Sequence, residues 1–325
     1  MKRLGFLFSV LGMAAVQAVG VAKAEWPERP LTMVMQFSPG GGLDQVLLPL
    51  KPHMEKRLGQ SVLYSYKPGA GGRIGWEIIH DKGDAYTIGG LVLPHLPNST
   101  LFATPKYSID DFVPVAVIQS DVPIWFVRKD SPINTMGDLI AAAKKRPGGV
   151  TMAIGSFTGE HYISVALVEE KAGVKFRAVN VKGGSKVMSN IVGGHFEVGV
   201  SRPASILRIR DEIKGIGLLA AGHSELFPEA KTFDEQFPAW KIPHMTSATG
   251  VLANRAFKDK DPKGFARLVK VVKESLETPE YQDMLKKSGR SYTYMGPDAA
   301  NKLLKDTYET MKAYKPLIEA AKTKK

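Results

Sequence analysis

The sequence predicts an α/β protein with two lobes that are joined by two crossings of the chain. Short apolar runs alternate with runs of helical periodicity from residue 31 to about residue 122, and a second such series begins at residue 123. An apolar run at residues 248–253 then indicates a return to the first lobe. Alternation of this kind is typical of α/β layers. We expect residues 25–122 plus 248–325 in the first lobe and residues 123–247 in the second.

Residues 1–24 have the pattern of a secretory signal peptide. Lys2 and Arg3 precede an apolar run, and Ala22-Lys23-Ala24 fits a cleavage site. We therefore expect cleavage after Ala24, export to the periplasm and, since no cysteine is present to accept a lipid, a soluble mature protein. A membrane anchor is the alternative interpretation, although Gly, Ser and Gln dilute the apolar run.

The composition narrows the chemistry that the chain can carry. It has no cysteine, which excludes disulfides, thiol catalysis and thiolate metal sites. The seven histidines show no metal-ligand spacing, so no metal and no cofactor is predicted. The formal net charge of +12 suits an anionic ligand. The lysines are mostly dispersed, so a solvated surface is favoured and no nucleic-acid partner is predicted.

The first lobe is expected to contain strands at residues 31–37, 62–66, 86–93 and 112–118, with helices between them. Pro49 and Pro52 fall inside the first helical run, which begins near Leu43. Because proline lacks the N–H group that a helix interior needs, these positions predict a kink.

A glycine-rich segment follows the first strand and is called here the first glycine loop. Its proposed ligand-binding residues are Phe37, Ser38, Pro39, Gly40, Gly41, Gly42 and Asp44. Glycines let a ligand approach the backbone closely, and the free N–H groups at the start of a helix attract an anion. Asp44 is placed either to cap the helix or to reach into the site. An ordinary strand-to-helix turn is the alternative.

A second glycine loop, residues 67–75, follows the strand at residues 62–66. Its proposed binding residues are Gly69, Ala70, Gly71, Gly72, Arg73 and Ile74. Loops at the carboxyl ends of neighbouring parallel strands meet at one edge of a sheet, which is where α/β proteins bind ligands. Neither loop matches G-x-G-x-x-G or a P-loop, so nucleotide binding is not predicted.

The two loops, the Trp26-Pro27-Glu28-Arg29-Pro30 stretch and Arg57-Leu58-Gly59-Gln60 together resemble the extracytoplasmic solute receptors of tripartite tricarboxylate transporters, the Bug-type family. The resemblance implies the hinged, type II-like Venus-flytrap fold of periplasmic binding proteins, with the two crossings as the hinge and the ligand in the cleft. It also implies an organic carboxylate ligand, often held through water, and the membrane permease subunits of such a transporter as partners. We expect a monomer.

The second lobe is expected to contain strands at residues 123–128, 150–154, 176–181 and 196–200, with helices at residues 135–145 and 160–172. The loops after its strands supply the remaining proposed binding residues: Ser156, Phe157, Thr158, Gly159, His161, Lys182, Gly183, Ser201 and Arg202. His161 could equally be an ordinary first-turn helix residue. Arg202 would hold a carboxylate bidentately, with an ion pair inside its own lobe as the alternative.

The leading hypothesis is a receptor that captures a dicarboxylate, either aliphatic or aromatic, and delivers it to a tripartite tricarboxylate-type permease. Phe37, Phe157 and Trp76 would permit an aromatic body, although Trp76 is better explained as core. A receptor that serves a sensor protein is equally compatible with the sequence. A secreted hydrolase using Ser156 or Ser201 is less favoured, because the serine pattern is not the G-x-S-x-G of a nucleophile elbow, and no enzymatic activity is predicted.

Overall fold

Two five-stranded sheets organise the protein. The computed structural model describes residues 26–155, 159–181, 184–243, 245–288, 290, 292–316 and 319. In chain order the strands of this part are β1 (Leu31–Met35), β2 (Val62–Tyr66), β3 (Thr87–Leu93), β4 (Phe112–Asp121), β5 (Ile124–Arg128), β6 (Thr151–Ile154), β7 (Arg177–Asn180), β8 (Val198–Ser201), β9 (Ile213–Leu218) and β10 (Ser247–Asn254).

Helices cover both sheets. They are α1 (Gly42–Leu47), α2 (Lys51–Leu58), α3 (Arg73–Lys82), α4 (His95–Leu101), α5 (Met136–Lys145), α6 (Glu160–Ala172), α7 (Gly184–Val192), α8 (Pro203–Ile206), α9 (Phe233–Gln236), α10 (Arg255–Lys260), α11 (Pro262–Leu276), α12 (Pro279–Lys287) and α13 (Pro297–Ala313). Short 3-10 segments lie at Leu48–Leu50, Ala70–Gly72, Ile109–Asp111, Leu207–Glu212 and Pro238–Trp240. Within the described residues, no helix is both long and apolar enough to span a membrane.

The two sheets have the same arrangement. The first has the order β2-β1-β3-β10-β4 and the second β7-β6-β8-β5-β9. In each, three parallel strands are followed by one antiparallel strand and an edge strand. The chain leaves the first sheet after β4, enters the second at β5 and returns at β10. This confirms the predicted two-lobed α/β fold, whereas the residue boundaries of the lobes stay a prediction.

The central strands of each sheet are buried on both faces, which is why they are almost continuously apolar, whereas the edge strands β2 and β7 are partly exposed. On β5 the neighbours Trp125 and Phe126 are both fully buried, and they belong to separate clusters because successive strand residues point to opposite faces. The first sheet packs Trp76 and Phe112 into one large core. Full burial of such side chains contributes about 1.5–3 kcal/mol each.

The ends of two helices from the first lobe reach the second core. Leu101 at the end of α4 and Met311 near the end of α13 are buried in the cluster that contains Trp125. Tyr308, one turn before Met311, contacts both cores. The lobes are therefore linked by packing as well as by the two crossings.

Most of the predicted elements are present, and the kink is confirmed. The first helical run is divided into α1, a 3-10 turn that contains Pro49, and α2, with Pro52 in its first turn. The strand β9 was not predicted. Gly215 and Gly217 interrupt its apolar pattern, but a Cβ atom on Gly217 would lie 2.6 Å from Met136 and from Phe233, so close packing explains the glycine.

Candidate functional site

The first glycine loop is held in shape by Asp44. One carboxylate oxygen, Oδ2, accepts a hydrogen bond of 2.8 Å from the Gly40 N–H group, and the other accepts from the Tyr66 hydroxyl on β2. The hydrogen bond to Asp44, with burial adding to it, raises the pKa of Tyr66 to about 12, so the hydroxyl remains a donor. Gly41, not Asp44, occupies the N-cap position of α1. Asp44 therefore fixes the loop to the neighbouring strand.

The second glycine loop runs through four consecutive residues with positive φ. These values are 136° at Gly69, 47° at Ala70, 67° at Gly71 and 103° at Gly72. A positive φ is uncommon for a residue with a side chain, and such conformations concentrate at functional sites. At Ala70 the loop therefore departs from ordinary turn geometry.

The two loops meet, as the parallel pairing of β1 with β2 predicts. The Phe37 ring of the first loop packs edge-on against Trp76 of α3, with 6.4 Å between ring centroids. A Cβ atom on Gly72 would lie 2.8 Å from the Trp76 ring and 3.2 Å from the Phe37 ring. Trp76 is fully buried and donates a hydrogen bond of 3.1 Å to the Gly90 carbonyl, which makes it a core residue.

Arg73 and Ile74 lie beyond the second loop at the start of α3. Arg73 Nη1 is 2.7 Å from Glu77 Oε1, one turn further along the same helix. Its guanidinium is thus paired within the lobe. Ile74 is exposed, and its side chain lies over Gly69, where a Cβ atom would be 2.6 Å from Ile74 Cδ1.

Charged and imidazole side chains from both lobes lie within electrostatic reach of one another, and the group is called here the interlobe cluster. Its members come from the starts or ends of several elements: His95, Asp121, Glu160, His161, Arg202 and Arg290. The cluster adjoins the first glycine loop, because the His95 and Phe37 rings pack edge-on with centroids 5.4 Å apart. Gly159 lies close by, since a Cβ atom there would be 3.9 Å from His95 Cε1.

Glu160 is the negative centre of the cluster on the side of the second lobe. Its side chain is almost fully buried, and Oε1 lies 3.3 Å from Arg202 Nη2 and 3.4 Å from His161 Nε2. Burial opposes ionisation, but the neighbouring His161 and Arg202 outweigh it and lower the pKa of Glu160 to about 2. Burial in turn lowers the pKa of His161 to about 4, so at neutral pH its imidazole is neutral and Arg202 is the permanent cation.

Asp121 lies where the chain leaves the first lobe. Its Oδ1 atom accepts a hydrogen bond of 3.1 Å from the Val122 N–H group, and the Ala204 N–H group at the start of α8 is close enough to lower the pKa of the carboxyl. Burial raises the pKa of Asp121 to about 6, although Arg202 opposes the shift. The carboxylate therefore joins the first crossing to the second lobe.

Arg290 enters the cluster from the segment that follows α12. Its Nη1 atom donates to Gln119 Oε1 on β4 at 3.2 Å, and Nη2 donates to Gln45 of α1. Gln45 donates in turn to the Gly40 carbonyl at 2.9 Å, so Arg290 is connected to the first glycine loop. Burial and the nearby positive charge of Arg202 lower the pKa of Arg290.

Five polar atoms of the cluster are buried without a hydrogen-bond partner among the described residues. They are His95 Nδ1, Asp121 Oδ2, His161 Nε2, Arg202 Nε and Arg290 Nε. His161 Nε2 is near Glu160 but lacks hydrogen-bond geometry with it. An unsatisfied buried polar group costs about 1–3 kcal/mol, so five in one place indicate a site that a polar ligand or water would complete.

The structure describes only some of the predicted second-lobe residues. Gly159 is the N-cap of α6 and His161 is the second residue of that helix. Ser201 ends β8 and is buried, and Arg202 follows it as the N-cap of α8. The other residues predicted for this lobe lie outside the described residues: Ser156, Phe157, Thr158, Lys182 and Gly183.

Sequence reasoning missed four members of the cluster. Asp121 ends a long apolar run directly before the first crossing, and Glu160 follows Gly159 at the start of a predicted helix, so both had a positional signal. His95 follows the predicted strand at residues 86–93 in the same way. Arg290 had no signal, because it reaches the cluster only through tertiary packing.

The described residues contain no group of three or more His, Asp or Glu side chains arranged to hold a metal ion. The chemistry available in the interlobe cluster is therefore that of guanidinium, carboxylate and neutral imidazole groups. Such a set can bind an anion by charge-assisted hydrogen bonds.

Comparison with known proteins identifies the family to which the chain is similar. The model of the tripartite tricarboxylate transporter family receptor matches residues 48–322. A UPF0065 protein encoded in the gbd 5' region of Cupriavidus necator is 29% identical over 317 residues, covering 96% of this chain and 93% of the relative. Protein BugT of Bordetella pertussis is 25% identical and covers 93% of this chain and 92% of its own length.

Solved structures show the same fold. A protein of R. palustris solved with adipate has a TM-score of 0.74 at 19% identity and covers 91% of this chain and 99% of its own. MatC from Rhodopseudomonas palustris with bound malate has a TM-score of 0.72 at 20% identity and covers 90% of this chain and all of its own.

Proposed function

Because the chain belongs to the receptors of the tripartite tricarboxylate transporter family, we propose that it captures an organic dicarboxylate in the cleft between its lobes and delivers it to a permease of that transporter class. Receptors of this family are periplasmic solute-binding proteins. Residues 1–24 would act as the signal peptide that directs this chain there. We propose that the chain itself acts as a binding protein and has no catalytic activity.

The observation that carries the proposal is the set of buried, unsatisfied polar atoms in the interlobe cluster. Two of the five are guanidinium N–H groups, which require acceptor atoms, and a carboxylate supplies them with matching geometry. Both lobes contribute atoms to the set. Two solved proteins of this fold hold adipate and malate, which are dicarboxylates, and this supports the same ligand class here.

The two glycine loops would hold one carboxylate of the ligand through backbone N–H groups, directly or through water. Several of these groups already donate to protein oxygen atoms: Gly40 to Asp44, Gly41 to Ser38, Gly72 to Gly69, Arg73 to Ala70 and Lys67 to Met35. The remaining N–H groups of the loops would face the ligand. Phe37, half-buried beside His95, would line the body of the ligand.

Arg202 would bind the other carboxylate. The structure pairs it with Glu160 in its own lobe, which was the alternative prediction, but that ion pair uses Nη2 and leaves Nε without a partner. Glu160 thus orients the guanidinium, and its free edge remains available.

A hydrolase finds less support. Ser201, one of the two serines considered as a nucleophile, is buried in β8 with 3% of its surface exposed, opposite Ile124 of β5. A nucleophile needs to reach a substrate, and this position does not offer that access. The partner would be a permease or a sensor protein. Either would bind the closed conformation of the receptor.

Thermal unfolding with and without dicarboxylates tests the proposal. At a ligand concentration of about 100 times Kd, mass action should stabilise the wild-type protein by about 2.7 kcal/mol and raise its melting temperature, whereas the diamides of the same acids should not. Arg202→Lys keeps a charge next to Glu160 but loses the planar fork, so we expect at least about tenfold weaker binding. An equal effect of acid and diamide, or a dicarboxylate response unchanged in Arg202→Lys, would contradict the proposed role.

A further inference from the structure

We propose that Arg290 is a ligand-binding residue and that Arg202 and Arg290, one from each lobe, form a single subsite for one carboxylate of the ligand. This inference rests on the proposed function and deepens it, because it assigns the group by which the ligand would join the two lobes. Neither the sequence motifs nor the glycine loops include Arg290.

Arg290 belongs structurally to the first lobe. The segment that carries it is fixed along β4, where the Thr293 N–H group donates to the Ile118 carbonyl at 2.9 Å. The N–H group of Val117 also donates to the Met295 carbonyl at 3.0 Å, and that of Met295 donates back to the Val117 carbonyl at 3.1 Å. Arg290 therefore moves with the first sheet.

Arg202 belongs to the second lobe. It follows β8 as the N-cap of α8, and its ion pair with Glu160 of α6 keeps it there. Both arginines are anchored at the first crossing, because Arg290 Nη1 donates to Gln119 near the end of β4 and Arg202 follows Ser201, which pairs with Ile124 at the start of β5. In keeping with this placement, the charge of Arg202 lowers the pKa of Arg290. Two like charges brought together by the fold repel each other, and an anion that contacts both removes that repulsion.

The hydrogen bonds of the two guanidinium groups also indicate a carboxylate ligand. Arg202 uses Nη2 for Glu160, and Arg290 uses both Nη atoms, for Gln119 and Gln45. In each, the Nε atom is buried and has no partner within the described part of the chain. Two buried N–H donors from opposite lobes fit a carboxylate, whose two oxygens can each accept one of them.

The carboxylate of Asp121 is within electrostatic reach of both arginines. Its Oδ1 atom is held by the Val122 N–H group at the first crossing, so the carboxylate cannot follow either arginine freely. A ligand carboxylate is free to move with the arginines. It would accept the hydrogen bonds from Arg202 and Arg290 that Asp121 does not accept. A dicarboxylate would then place one end in the glycine loops and the other on Arg202 and Arg290.

Titration of Arg290 variants tests the inference. The probes are adipate, succinate and malate, with hexanoate and butyrate as monocarboxylates of matching length. We expect Arg290→Gln to weaken dicarboxylate binding at least about tenfold and to change monocarboxylate binding less than about threefold, because only the second carboxylate needs the subsite. Arg57→Gln is the matched control: Arg57 also pairs within the first lobe, with Glu274, but far from the cluster on α2, and its loss should leave both affinities unchanged.

The outcomes separate the two proposals. If the wild-type protein binds none of the three dicarboxylates, the proposed function and the subsite both fail. If it binds one and Arg290→Gln binds it equally well, or loses mono- and dicarboxylates to the same extent, only the subsite fails. Arg290→Lys carries the test if Arg290→Gln does not fold: it retains the charge but lacks Nε–H, so a dicarboxylate affinity at the wild-type value would overturn the inference.

Discussion

Arg202 shows how a single side chain can serve the fold and a ligand together. Its Nη2 atom neutralises the buried Glu160, and without it that carboxylate would be an unpaired buried charge, which typically destabilises a protein by 3–5 kcal/mol. Its Nε atom has no partner in the described part of the protein. Replacement by alanine would therefore mix lost binding with lost stability, which is why lysine is the more informative substitution.

Asp121 gives a pH dependence whose sign can be worked out. Its pKa rises from 3.8 to about 6 because burial disfavours the charged form, so the folded protein holds this proton more tightly than the unfolded chain does. The stability contributed by Asp121 is then fully present below about pH 4 and is lost as the pH rises through 6. The charged groups that face it are Arg202, Glu160 and Arg290.

We expect the free energy of unfolding of the wild type minus that of Asp121→Asn to fall by up to about 3 kcal/mol between pH 4 and pH 7. Urea unfolding at pH 4, 5, 6 and 7 measures it. The titrations of Glu160 and His161 are present in both proteins and largely cancel in the difference. Asp130→Asn is a control that should change little over this range, since the Arg128 side chain lowers the pKa of the exposed Asp130 from 3.8 and its titration lies mostly below pH 4. A difference for Asp121→Asn that does not vary with pH would show that this carboxyl is not perturbed.

At the scale of elements, the second glycine loop joins β2 to α3 and positions the aromatic side of the site. Its four consecutive positive φ values differ from those of an ordinary turn. The absence of a side chain at Gly72 leaves room for the Phe37 and Trp76 rings to pack together. Gly71 also has a positive φ, 67° against 103° at Gly72, but a Cβ atom there would have open space around it. The two neighbours therefore separate backbone strain from crowding.

Gly71→Ala should lower the free energy of unfolding by about 1–2 kcal/mol, the cost of a left-handed conformation. Gly72→Ala carries a comparable backbone cost and also places a methyl group 2.8 Å from the Trp76 ring, so we expect about 3 kcal/mol or more. Denaturant unfolding of the ligand-free proteins measures both. Equal losses in the two variants would mean that the ring contact at Gly72 has no energetic role.

The elements and the glycine loops could be predicted because their signals are local. Apolar periodicity located most strands and helices, and Pro49 and Pro52 located the break between α1 and α2. The strand β9 was missed because Gly215 and Gly217 interrupt its apolar pattern. The interlobe cluster is not local: residues 95, 121, 160, 202 and 290 become neighbours only when both lobes are complete. Of the six members of the cluster, the sequence pattern identified His161 and Arg202, which lie in or just after loops that follow strands, but it gave no signal for Arg290.

At the scale of the whole molecule, the two sheets share one arrangement and the chain crosses between them at β4 to β5 and again before β10. The ends of α4 and α13 also pack into the second core through Leu101 and Met311. Any closing motion therefore has to keep or remake these contacts. A ligand that binds at the interlobe cluster would contact both lobes at once, and we expect the largest gain in binding free energy there.

The measurement that tests the account most directly is isothermal titration of the mature protein, freed of bound ligand by unfolding and refolding. Mono- and dicarboxylates of matched length would be titrated alongside their amides. We predict one-to-one binding of a dicarboxylate, weaker binding of the monocarboxylate and no heat from the diamide, since neutral amides cannot replace the charge-assisted hydrogen bonds to arginine. Binding of acid and amide with equal affinity, or no binding of any acid to a protein shown to be folded, would contradict the assignment as a dicarboxylate receptor.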